Sequence, residues 1–72
     1  MSTVAEMPVG GTATVKAIDG TDEIAVRLME MGLTPGIEVK LVGAALLGDP
    51  VELEVRGYRL SLRKTEAKRV QI

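Results

Sequence analysis

Arg27-Leu28-Met29-Glu30-Met31-Gly32-Leu33-Thr34-Pro35-Gly36-Ile37 decides the fold, because within this one stretch a helix stops, the chain turns and a strand begins. Ile24, Leu28 and Met31 recur at helical spacing and make one apolar stripe, with Glu23 and Arg27 placed to pair one turn apart on its flank. Gly32 suits the left-handed position just past a helix end, and Leu33 can then fold back on Leu28 to close a Schellman motif. Thr34-Pro35-Gly36-Ile37 follows as a type II turn, Pro presetting the first central angle and Gly supplying the positive φ of the second. Upstream, Thr21 or Asp22 serves as N-cap, and the acids Asp22 and Glu23 sit where the helix dipole favours them. The spacing predicts one short helix over about 22–31.

Strand patterns surround this helix. Ile37, Val39 and Leu41 alternate with Glu38 and Lys40. Residues 43–47 are then continuously apolar or small, reading either as a strand covered on both faces or as a sticky loop. After a Gly48-Asp49-Pro50 corner, Val51, Leu53 and Val55 alternate with Glu52, Glu54 and Arg56, and Leu60 and Leu62 alternate with Arg59, Ser61 and Arg63. A two-residue Gly57-Tyr58 loop of type II′ joins the two runs. Counting outward from it sets Arg56 opposite Arg59, Val55 opposite Leu60 and Glu52 opposite Arg63, the first pair being a like-charge conflict. Before the helix, residues 12–18 alternate as one strand ended by Asp19-Gly20, and residues 1–8 read as a loose lead-in with Val4 and Met7 as plugs for the core. Thr65-Glu66-Ala67-Lys68 reads as a helical turn, and Val70 and Ile72 alternate in a last short strand. Short strands, tight turns and one inserted helix predict a mainly β fold, a small closed barrel of about five strands, in a single domain over residues 1–72.

Composition bounds the function. The 72-residue chain has no cysteine, so no disulfide or thiolate site staples it and a reducing compartment suits it. Its longest apolar run, residues 42–47, falls far short of the ~20 residues that cross a bilayer. No basic-then-apolar leader opens it, so a cytoplasmic protein without membrane insertion is expected. Charge is lopsided, net −6 over residues 1–55 and +5 from Arg56 onward, for an overall −1. With that balance and Tyr58 as the lone aromatic, neither nucleic-acid binding nor an aromatic-lined proline-peptide groove is favoured.

Catalysis is poorly supplied, with no His, no Cys and only Ser2 and Ser61 as serines; no catalytic residue is assigned and a non-enzyme is expected. Glu52 and Glu54, about 7 Å apart on one strand face, read as a solvated face opposed by Ser61 and Arg63. The carboxylates are scattered singly, Met31 belongs to the apolar stripe and Met29 points elsewhere, so no metal or cofactor site is assigned. Weak association with Fe²⁺ or another divalent ion is the most that is expected. The strongest interaction signal joins Ala44-Ala45-Leu46-Leu47 to the hairpin tip, giving Leu46, Leu47, Arg56, Tyr58 and Arg59 as candidate partner-binding residues. The alternatives are that Leu46 and Leu47 plug a barrel end and that Tyr58 is a half-buried cap.

With the turns placed, four motifs stand in order. They are Met7-Pro8-Val9-Gly10, Arg27 through Gly36 as quoted above, Leu47-Gly48-Asp49-Pro50-Val51, and Arg56-Gly57-Tyr58-Arg59-Leu60-Ser61-Leu62-Arg63-Lys64-Thr65-Glu66-Ala67. Together they closely resemble the ferrous iron transport protein A family, from about Met7 to Ile72. Two departures are mild: Met31 stands where that helix end usually has Leu, and Leu46 where a Pro often precedes the Leu-Gly-Asp-Pro corner. The resemblance implies an SH3-like barrel with an inserted helix, in a small cytosolic accessory of bacterial ferrous iron uptake. It implies as partner the membrane transporter, ferrous iron transport protein B, with its cytoplasmic GTP-binding domain. A related module forms the C-terminal domain of iron-dependent repressors, so the alternative is a free-standing metal-sensing or regulatory module. Lacking a helix-turn-helix, such a module could not repress alone.

Overall fold

The computed structural model describes residues 2–72. Its elements in chain order are β1 (Thr12–Thr14), β2 (Ala17–Ile18), α1 (Glu23–Glu30), β3 (Glu38–Ala44), β4 (Val51–Val55), β5 (Tyr58–Leu62), α2 (Lys64–Ala67) and β6 (Val70–Gln71). Strands β1-β3-β4-β5 form an antiparallel sheet and β2 pairs with β6 in a second. The mainly β architecture expected from the alternation is present, with six strands instead of about five.

The extra strand comes from a break at Val15-Lys16. The Val15 N–H donates to Ile37 and the Lys16 N–H to Gln71, so the chain leaves one sheet and joins the other between these two residues. Val15 stays buried at this crossing, which is why residues 12–18 keep an unbroken alternation while serving two sheets. The expected loose lead-in is tied down as well. A 3-10 turn at Val4–Glu6 buries Val4 completely, Thr3 bridges to Gln71, and the Ile72 N–H donates to the Ser2 carbonyl at 3.0 Å.

Helix α1 starts on Asp22, whose Oδ1 accepts the Ala25 N–H at 3.2 Å. It ends as a Schellman motif: the Leu33 N–H donates to Leu28 at 3.2 Å, the Gly32 N–H to Met29 at 3.0 Å, and Gly32 takes φ +101. Leu28 and Leu33 are both fully buried, and Ile24 and Met31 pack on the core from the same face. The turn after it closes through the Ile37 N–H to the Thr34 carbonyl at 3.1 Å. Arg27 pairs with Glu66 of α2 at 3.3 Å and not with Glu23, so the ion pair joins two elements instead of bracing the flank of α1.

A bulge at Val42 shifts the register between β3 and β4, after which Gly43 faces Glu52 and Ala44 faces Val51. That bulge is where the alternation of β3 fails in the sequence. The β4–β5 hairpin differs from expectation by one step of the turn. Val55 pairs with Tyr58, Glu54 with Arg59, Leu53 with Leu60 and Val51 with Leu62. The loop is therefore Arg56-Gly57, with φ +50 and +84, a type I′ pattern whose twist suits the strands. The shift keeps Leu60 and Leu62 on the core side, removes the Arg56–Arg59 conflict and sets Arg59 against acids.

The core gathers Leu28, Leu33, Leu53, Val55, Leu62 and Val70 between the two sheets and α1, all fully buried. No polar or charged residue is buried among the described residues, and none of their buried side-chain polar atoms lacks a partner. Polar chemistry is confined to the outside.

Candidate functional site

The five candidate residues fall on two ends of β4. Leu46 and Leu47 sit in the loop between β3 and β4, in a 3-10 turn at Leu46–Gly48, and are 89% and 92% exposed. They do not plug the barrel; of the alternatives for residues 43–47, the sticky loop is the one realised, with β3 ending at Ala44. The loop is held from below by the Ala45 N–H to the Pro50 carbonyl at 2.9 Å and the Gly48 N–H to the Ala45 carbonyl at 2.8 Å. Leu47 adopts φ +69, so a bulky residue is kept in a left-handed backbone with its side chain in solvent.

Arg56 lies just beyond the opposite end of β4, and Tyr58 and Arg59 lie beside that end, opposite Val55 and Glu54. Five residues of extended strand separate the loop from Arg56, about 17 Å at the usual rise. The sequence pattern joined them into one surface; the structure sets Arg56 and the loop at opposite ends of β4, with Arg59 reaching back along the strand as far as Glu52. Arg56 forms the exposed first position of the turn, and Arg59 reaches Glu52 at 3.8 Å with both side chains largely in water. Tyr58 is 41% exposed, and its hydroxyl donates to the Met31 carbonyl at 2.5 Å. It therefore closes the C-terminal end of α1 while offering part of its ring to solvent.

The sequence reading passed over Val9, which is 64% exposed. Its turn is bonded to β3 through the Gly10 N–H and the Leu41 carbonyl at 2.6 Å, toward the end of β3 that leads into the Leu46-Leu47 loop. The signal was an apolar residue inside a Pro-Gly-Gly turn, where nothing in the core demands one. Val26 and Met29 are also exposed, on the outer side of α1.

Electrostatics is concentrated at the helix start. Arg69 Nη1 meets Asp22 Oδ1 at 2.6 Å. That hydrogen bond, with the Ala25 N–H, holds the Asp22 carboxyl below the ordinary aspartate range, and Asp22 in turn raises Arg69. The pair clamps α1 to the segment entering β6. Among the described residues no three acidic, His or Cys side chains converge where a metal ion could sit.

A four-stranded and a two-stranded sheet wrapped on one apolar core, with a helix inserted after the second strand, define an SH3-like barrel. The FeoA domain model matches residues 2–72, and the chain belongs to the FeoA family. It is 36% identical to FeoA of Stenotrophomonas maltophilia, a prokaryotic SH3 domain protein solved in complex with zinc, at a TM-score of 0.86 over 97% of this chain and 87% of that one. It is 37% identical to a FeoA-like protein of Clostridium acetobutylicum, at a TM-score of 0.87 over 94% of this chain and 79% of that one. It is 29% identical over 69 residues to the Fe(2+) transport protein A/Fe(2+) transporter FeoB fusion protein of Porphyromonas gingivalis; this spans 96% of the chain and 8% of that curated relative's length. A manganese-dependent transcriptional repressor shares the fold at 13% identity, with a TM-score of 0.83 over 99% of this chain and 41% of the repressor. No helix among the described residues is long and apolar enough to cross a membrane.

Proposed function

We propose that this chain is a cytoplasmic protein-interaction module of ferrous iron uptake that docks on the membrane transporter, ferrous iron transport protein B, at its GTP-binding domain. It acts without chemistry of its own and needs no cofactor. Membership of the FeoA family supports the pathway, and the fused relative supports the partner, since there the two proteins share one chain. The observation that carries the contact is the exposure of Leu46 and Leu47 on a loop held in place by its own backbone hydrogen bonds. Covering each leucine returns about 1.5–3 kcal/mol, which no contact among the described residues claims.

The hairpin tip contributes as a separate element, because the length of β4, about 17 Å, divides Arg56 from the loop. The test is a pull-down of the transporter's GTP-binding domain, with uptake measured in parallel. Leu46→Glu abolishes capture and reduces uptake while the protein stays folded. Unchanged capture by a folded Leu46→Glu protein removes the loop from the interface. Arg59→Glu, assayed alone, reports on the tip.

Metal sensing is the second reading, favoured by the zinc held by the Stenotrophomonas maltophilia relative. Anoxic calorimetric titration with Fe²⁺ separates the two. Tight stoichiometric heat supports a sensor, and its absence supports the adaptor.

A further inference from the structure

Strand β5 is the last strand of the four-stranded sheet, and among the described residues no further strand pairs with its outer edge. Val55 and Tyr58 close the two-residue turn as a hydrogen-bonded pair, and bonding alternates from there down an antiparallel ladder. Tyr58, Leu60 and Leu62 therefore direct their N–H and C=O groups at β4, while those of Arg59 and Ser61 point away from the sheet. Among the described residues no backbone group pairs with these outward groups, and both residues are exposed.

Free edges are ordinarily blunted by shortness, proline, a bulge, a covering segment or charged side chains, the last of which repels a like-charged strand and admits an oppositely charged one. Strand β5 is neither short nor interrupted by proline or a bulge: it runs five residues in unbroken register with β4. The other edge of the sheet, β1, has three. What β5 carries instead is positive charge, with Arg56, Arg59, Arg63 and Lys64 along and just beyond it. Only Arg59 has an acidic partner, Glu52, in an exposed pair at 3.8 Å; among the described residues Arg56, Arg63 and Lys64 form no ion pair.

We propose that β5 is a docking edge for an extended acidic segment of a partner protein, which adds as a further strand with its backbone paired to Arg59 and Ser61. Carboxylates at alternate positions of that segment face Arg59 and Arg63 on the outer side. The intervening apolar residues lie beside half-buried Leu60 and the exposed part of Tyr58. A second copy docked β5 to β5 is the poorer occupant, because it crowds both sets of cations together. The surface is separate from the Leu46-Leu47 loop and stands without the transporter reading.

The test titrates the ¹⁵N-labelled full chain with an end-capped peptide alternating glutamate and valine, and follows amide hydrogen exchange. The Arg59 and Ser61 amides gain at least about tenfold protection at saturation, and those of Leu46 and Leu47 do not change. Arg59→Glu weakens binding about tenfold, as reversal of an exposed charge contact does. Ser61→Pro deletes an N–H that β4 does not use and abolishes binding; should it fail to fold, the same peptide with alternate amides N-methylated makes the same decision by failing to bind. Absence of protection at either amide overturns the proposal, as does equal binding of a lysine-valine peptide. Protection that rises with protein concentration alone also overturns it and assigns the edge to a second copy.

Discussion

Replacing Gly32 with alanine tests the joint where α1 meets β5. Gly32 has φ +101, a left-handed backbone that costs an L-residue about 1–2 kcal/mol. A methyl group there runs into the Tyr58 hydroxyl, the same hydroxyl that donates to the Met31 carbonyl. Moving Tyr58 aside forfeits that hydrogen bond, about 0.5–1.5 kcal/mol. The expected loss is therefore about 1.5–3.5 kcal/mol, out of a total near 4–11 kcal/mol for a chain this short. With a urea dependence of about 1 kcal/mol per molar, the midpoint followed by circular dichroism falls by roughly 1.5–3.5 M. Tyr58→Phe removes the obstructing hydroxyl in advance, so in that background Gly32→Ala costs only the backbone part. The two substitutions couple by about 0.5–1.5 kcal/mol. A cost below about 1 kcal/mol, or strict additivity with Tyr58→Phe, refutes the account of this joint.

Three further outcomes follow from other parts of the structure. Leu53→Ala, at the fully buried centre of β4, loses about 2–5 kcal/mol in denaturant unfolding, whereas Leu47→Ala stays within about 0.5 kcal/mol of wild type; equal losses would mean that Leu47 is packed. Asp22 has a depressed folded pKa, so its contribution is fully present above the ordinary aspartate value of about 3.9 and is lost as pH falls through the lower folded value. The wild-type minus Asp22→Asn difference in unfolding midpoint is accordingly flat at neutral pH and shrinks in acid, and a difference that grew in acid would have the wrong sign. Arg56→Asn relieves a left-handed arginine in a type I′ turn and raises stability by about 0.5–1 kcal/mol in the same assay; a loss would mean that Arg56 makes a stabilising contact.

What was legible in the sequence was what local chemistry decides. Gly32, Pro35 and Gly36 each admit few backbone conformations, so the helix stop and the turn after it could be placed to the residue. Alternation likewise assigned the core faces of β3, β4 and β5. The hairpin turn was harder, because Arg56-Gly57 and Gly57-Tyr58 both offer a glycine and preserve the apolar faces; the side-chain pattern cannot distinguish registers that differ by two. The break at Val15-Lys16 was invisible for a related reason. One alternating run serves two sheets, and the partners that divide it, Ile37 and Gln71, lie far along the chain. Chain-level proximity also misled the candidate site: Leu47 and Arg56 are nine residues apart in sequence, but a strand running straight between them holds them at opposite ends.

That separation gives β4 a second role besides its place in the core. Leu47 and Arg56 are the non-glycine residues with left-handed backbone among those described, and they flank this strand on either side. Each conformation costs about 1–2 kcal/mol that an Asn or Gly would largely avoid. The strand between them offsets the cost, since Val51, Leu53 and Val55 are buried and β4 is paired with a strand on either side. Strain that persists under such support is characteristic of sites where a side chain must be shown to a partner. On the proposed reading it also fixes both tips before a partner arrives, which lowers the ordering cost of association. A leucine and an arginine held out from the two ends of the best-anchored strand are therefore the positions where substitution should separate binding from folding most cleanly.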